Sequence, residues 1–145
     1  MYFVDRHKIE ENLTFLEKNI QLYEEMKQWD SEYDKLTLER LTHVMLDCVL
    51  DTCNAMIDGF IMRDPGSYED IIDIMLDEKV ITEDLEKQFK RLLPLRKMIV
   101  QDYVAIDHQE IQSVLNENMQ ALKEFPQTVR QYITNELGPV SAFKN

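Results

Sequence analysis

The sequence predicts an all-α protein, an up-and-down bundle of four long helices plus one short helix. Three observations carry that expectation. The 145 residues include only three glycines and four prolines, whereas Leu, Ile, Met, Glu, Lys and Gln are abundant, a composition that favours long helices over turn-rich strands. Apolar residues recur at steps of three and four, the period of a helix with one buried face. The polar links between the periodic stretches are short, which favours antiparallel neighbours. A chain of this length suits one domain, 1–145, that buries its core without metals or disulfides.

The elements follow in order. Ile9, Leu13, Leu16, Ile20 and Tyr23 form the inner stripe of a first helix ending near Trp29. After the polar stretch from Asp30 to Asp34, a second helix is expected over Leu36 to Met62, with Leu38, Leu41, Met45, Val49, Met56 and Phe60 inward, stopped by Pro65 and Gly66. Ser67, with Asp70 three residues on, caps a short third helix over Tyr68 to Glu78. Thr82 followed by Glu83 and Asp84 starts a fourth, whose core stripe runs Leu85, Phe89, Leu92, Ile99, Tyr103. Pro94 should kink that helix just before Arg96, because it lacks an amide donor and crowds the preceding turn. Asp107 and Glu110 cap a fifth helix with Ile111, Leu115, Asn118, Leu122, Phe125, Val129 and Ile133 inward; Pro126 should bend it and Gly138-Pro139 end it.

Charge and composition narrow the function. No apolar run approaches the roughly 20 residues that span a bilayer, and the start Met1-Tyr2-Phe3-Val4-Asp5 lacks a signal-peptide pattern, so a cytoplasmic protein with no membrane partner is expected. Cys48 and Cys53 are five apart on one helix, diverge around its axis and should remain thiols. A formal net charge of −12 repels polyanions, so a nucleic-acid role needs a local exception. One lies between Lys87 and Lys97, where Lys87, Lys90, Arg91, Arg96 and Lys97 occur with no acidic residue among them. Lys90, Arg91 and Lys97 are candidate anion-binding residues there, although a solvated helix face is the ordinary meaning of such a run.

The usual catalytic signatures are missing. His7, His43 and His108 are scattered with no second histidine one turn away, so no histidine metal site is expected. Asp47 with Asp51, and Asp70 with Asp73 and Asp77, have helical spacing, which chance explains in a chain with 28 acidic residues. No Gly-rich phosphate loop, nucleophile elbow or Cys-x-x-Cys is present, and no cofactor is implied. Tyr68, Trp29 and the eight methionines are expected to fill the core or an interface.

A series of short matches says more. Leu38-Glu39-Arg40 and Asn54 with Met56-Ile57 mark the second helix, and Pro65-Gly66-Ser67-Tyr68 opens the third. Arg96-Lys97-Met98-Ile99-Val100-Gln101-Asp102-Tyr103 follows, then Ile106-Asp107. In this order, without gaps from Leu38 into the last helix, the series resembles the HepT-like ribonuclease-toxin family. That family's signature is an Arg, often followed by Asn, then a His five residues after the Arg and a Tyr two beyond it, followed by Ile-Asp. Arg96, Tyr103 and Ile106-Asp107 match it; Lys97 stands for the Asn and Gln101 for the His.

The resemblance implies a helical homodimer related to metal-independent, RNA-cleaving toxins. It also implies an opposing nucleotidyltransferase partner that transfers AMP to the motif tyrosine, here Tyr103. Arg96, Gln101 and Tyr103 then form the catalytic set, with RNA rather than DNA as the nucleic acid. The number of apolar residues on five helices points to dimerisation as well. RNA cleavage needs proton transfer, suited to His, and charge stabilisation, suited to Arg. Gln101 hydrogen-bonds but exchanges no proton near neutral pH, and such help is worth about 10²–10⁴ in rate. Three functions are therefore in play. The first is a dimeric binding module with weak or lost cleavage. The second is an active ribonuclease in which Arg96 and Tyr103 organise the phosphate and another group moves protons, Asp102 and His108 being poor substitutes. The third is an acidic bundle that docks another protein.

Geometry sharpens the expectation. On a regular helix Arg96 and Gln101 project about 140° apart, whereas Arg96 and Tyr103 share a stripe, so joint action calls for distortion near Pro94 or a second subunit. An arginine in line with Leu92 and Ile99 should have a partner.

Overall fold

The computed structural model describes residues 2–138 and contains five helices with no strand among the described residues. They are α1 (Arg6–Glu25), α2 (Glu32–Gly59), α3 (Tyr68–Asp77), α4 (Glu83–Gln101) and α5 (His108–Leu137). Four are long and α3 is short, as the periodicity predicts. Pro139 lies outside the described residues, but Gly138 caps α5 with a left-handed φ of 84°, where the expected stop falls.

Three boundaries differ from expectation for local reasons. α1 ends at Glu25, and the chain turns extended at Met26, so that Trp29 packs back and stacks on Tyr23 with ring centroids 5.5 Å apart. α2 starts at Glu32 instead of Leu36 because Ser31 accepts from the Asp34 amide while the Asp34 carboxylate answers the Ser31 N–H. The polar stretch before the apolar stripe is thus the helix start itself. At its other end α2 stops at Gly59, short of Met62, and Ile61 takes a left-handed φ of 56°. Gly59 is required by close approach: the Phe3 amide donates to its carbonyl at 3.0 Å, and a Cβ there would meet Val4 Cα at 2.8 Å.

α2 is the hub, packing against each of the other four helices. Its inward residues Leu38, Leu41, Met45, Val49, Cys53 and Met56 are buried. α1 and α5 bury every residue assigned to their stripes, including Asn118, and Phe89 of α4 meets Phe125 of α5 edge-on at 5.4 Å. Arg6, at the start of α1, donates to the Gly138 carbonyl at 3.0 Å, satisfying a free acceptor at the end of α5.

The prolines do not break the helices. α4 runs as one helix through Pro94 and α5 through Pro126; both are gripped on their inner faces by buried neighbours such as Leu92, Leu95, Phe125 and Val129. The residue that leaves helical dihedrals is Asn118 (φ −120°, ψ 16°). Its side-chain amide donates to the Val114 carbonyl at 2.9 Å, competing with its own backbone N–H for that acceptor.

Both cysteines are free and buried. Burial, with the Asp51 and Asp47 charges adding, pushes the Cys48 thiol up to about 11, and burial alone raises Cys53. At pH 8 neither thiol of the folded protein should react with an aromatic disulfide reagent at the denatured rate; fast labelling of either would contradict its burial. Gly59→Ala should lower stability by about 1–3 kcal/mol, read as a lower urea midpoint with unchanged slope. An unchanged midpoint would mean that the Phe3–Val4 segment does not lie on α2 in solution.

Candidate functional site

Arg96 sits on the inner side of α4 where the helix passes α2 and the start of α3. Its Nε donates to Asp47 Oδ1 at 2.6 Å, and its guanidinium carbon lies 4.5 Å from the centre of the Tyr68 ring. The expected partner of this charge is therefore a carboxylate on α2, with an aromatic face from α3. The other Asp47 oxygen, Oδ2, is 2.8 Å from Nε2 of His43 one turn earlier on α2. A single carboxylate thus joins His43 and Arg96.

The local sequence explains each placement. His43, Asp47 and Asp51 repeat every four residues and share one face of α2, beside the apolar stripe that fixes the helix's rotation. Tyr68 is the first residue of α3, held by the Ser67 cap and by Asp70, which accepts from both Arg63 and the Gly66 amide. Burial opposes the charge on Arg96, but the Asp47 hydrogen bond and charge, with Tyr68 adding, leave its proton held more tightly than usual. Burial and repulsion from Asp47 raise the Asp51 carboxyl, with Lys8 and Arg96 opposing.

Gln101 closes α4 and lines a hollow of about 110 Å³ with Tyr68, Leu93, Arg96 and Lys97. The angular separation of Arg96 and Gln101 does not keep them apart, and no distortion at Pro94 is needed. Leu93, Lys97 and Gln101 form one stripe of a regular helix, and Arg96, one residue round, reaches Tyr68 on the same rim.

Tyr103 is elsewhere. α4 ends at Gln101, Asp102 caps it, and the helical phase that would carry Tyr103 inward is lost; its side chain is 69% exposed. It belongs to no core stripe, contrary to the spacing. The basic run also differs in space from its appearance in sequence. Lys90 lies 2.5 Å from Asp73 and 3.0 Å from Glu86, which raise its proton affinity, and it is committed to them. Arg91 reaches towards Asn118 at 3.5 Å, so of the three candidate anion ligands only Lys97 lines the Arg96 hollow. His108 is 2.7 Å from Glu39, across from the N-terminus of α5. Asp70, Asp73 and Asp77 are engaged by Arg63 and Lys90.

Sequence reasoning missed His43, Asp47 and Tyr68 as site residues. Tyr68 is half exposed and serves as a cation platform rather than core filler. The available signal was the His-x-x-x-Asp spacing of His43 and Asp47, one helical turn, which a search for paired histidines or paired carboxylates passes over.

Comparison with known proteins agrees with this architecture. Over 144 residues the chain is 50% identical to the Bacillus subtilis (strain 168) protein named "Putative RNase YutE", covering 99% of this chain and 100% of that one. The solved structure of the cytosolic protein YutE from Bacillus subtilis superposes with a TM-score of 0.95 over 99% of this chain and 100% of that chain, at 50% identity. A toxin–antitoxin crystal structure with AMP-PNP shares the fold alone, with a TM-score of 0.73 at 16% identity over 84% of this chain and 95% of that chain. Residues 9–129 match the family described as Ribonuclease HepT-like, and the chain belongs to that family.

Proposed function

We propose that this protein is a metal-independent endoribonuclease of the toxin–antitoxin type, slower than relatives that keep the motif histidine, with Arg96 as its phosphate-binding residue. The observation that carries this is the setting of Arg96: Asp47 takes its Nε, Tyr68 supports its face, and the hollow with Lys97 and Gln101 opens beside it. The terminal amino groups of the guanidinium are left to meet the non-bridging oxygens of a phosphodiester, whose charge grows as phosphorus becomes crowded. A fixed arginine needs no rearrangement at that moment. Gln101 orients an oxygen by hydrogen bonding but moves no proton.

The same reading gives the remaining residues their places. Tyr103, exposed on the turn after α4 and outside the Arg96 hollow, is the accessible acceptor for AMP from a nucleotidyltransferase partner. Val100, Tyr103 and Val104 together expose apolar surface at the end of α4, where we place the contact of a cytoplasmic homodimer. Cleavage by such a site is sensitive to salt, because the −12 chain repels RNA everywhere except at a local cationic patch.

The test is cleavage of single-stranded RNA by the purified protein with EDTA present. Wild type should cleave slowly, Arg96→Ala should lose about 10²-fold or more, and Gln101→His should cleave faster than wild type. An inert wild type, or an Arg96→Ala variant as active as wild type, would remove the ribonuclease assignment. Absence of RNA binding at low salt would favour an acidic bundle that docks a protein.

A further inference from the structure

We infer that His43 is the proton-transfer residue of this site, supplying from α2 what Gln101 does not supply from α4. The inference rests on the ribonuclease reading of Arg96 and adds to it the group that handles protons. Three features support it. His43 and Arg96 meet the two oxygens of one carboxylate, at 2.8 Å and 2.6 Å, so the imidazole and the guanidinium are fixed relative to each other. The side chain of His43 is 31% exposed, which leaves it reachable by substrate without leaving it free to wander. Asp47 at Nε2 favours the tautomer with the proton on that nitrogen, which presents Nδ1 as the base and stabilises the imidazolium once formed.

The other histidines are not equivalent. His7 is on the outer face of α1, 80% exposed, beside Glu11, and His108 pairs with Glu39 at the start of α5. Neither shares a partner with Arg96. The charged groups around His43 are Asp47 and Glu39 on its own helix, Arg96 from α4, and His108 from α5, the last held on Glu39; Lys8 of α1 acts further along, at Asp51.

The step balances with no added reagent. Nδ1 of His43 takes the proton of a ribose 2′-hydroxyl, whose oxygen forms a bond to the adjacent phosphorus. The bond from phosphorus to the 5′-oxygen breaks, and the proton on His43 passes to that leaving oxygen. The products are a 2′,3′-cyclic phosphate and a free 5′-hydroxyl, with Arg96 bearing the charge on the phosphoryl oxygens.

The experiment is the pH dependence of RNA cleavage in EDTA by the full chain as wild type, His43→Gln, His43→Ala with and without added imidazole, and His43→Gln combined with Gln101→His. Wild type should show an ionisation limb in its pH–rate profile that depends on His43. His43→Gln should lose about 10²–10⁴ in kcat and that limb with it. Imidazole should restore part of the His43→Ala activity, and the double variant should regain cleavage, showing an intact fold and Arg96. If wild type cleaves and His43→Gln keeps both rate and limb, the inference fails while the ribonuclease reading stands. If His43→Gln is inert, but neither imidazole nor Gln101→His restores its variants, His43 is structural and the inference fails. An inert wild type overturns both.

Discussion

α2 packs against all four other helices, and its rotation about its own axis is set by a stripe of buried residues from Leu38 to Met56. A helix so gripped has no freedom to turn, because a rotation of one residue would exchange core for solvent along its whole length. The face next to that stripe carries His43 and Asp47, and it inherits the same rigidity. Arg96 then has one place to go. A guanidinium leaving water needs a partner, and the Asp47 carboxylate is presented to it by a helix that cannot move away.

The site that results is shared among three helices and is electrically compact. One carboxylate answers two cationic groups, Arg96 fully charged and His43 charged when protonated, while Tyr68 covers the guanidinium with a surface that asks for no hydrogen bond of its own. This local balance explains how a chain with a formal charge of −12 presents cationic groups towards one small hollow. Several of its other cations are engaged internally: Arg130 bridges Glu10 and Glu17, Arg63 holds Asp70, and Lys90 holds Asp73 and Glu86. Those pairs tie helices or turns together, and the excess of carboxylates opposes unspecific contacts with polyanions.

Much of the bundle is legible in the sequence because its determinants are local. Ser67, Thr82 and Asp107 cap the helices they precede, and the stripes of α1 and α5 follow directly from spacing. Where expectation and structure part, the deciding term is either a competing local bond or a loss of phase. Asn118 bends α5 through its own amide, whereas Pro94 and Pro126, held by packed neighbours, leave their helices continuous. Tyr103 keeps the spacing of a core residue but stands beyond the end of α4, so its spacing no longer reports its direction.

By itself the sequence determined the number of helices, the caps of α3, α4 and α5, the core stripes of α1 and α5, and the HepT-like family. It also marked Arg96 as a charge in need of a partner. Only the tertiary structure decided which partner, since Asp47 and Arg96 are separated by 49 positions and carboxylates are plentiful in this chain. It likewise brought His43 and Tyr68 to the site and withdrew Lys90 from it. Helix periodicity is a one-dimensional signal carried by neighbours in the chain; the pairing of charges between helices depends on rotation and offset, which packing of the whole core sets.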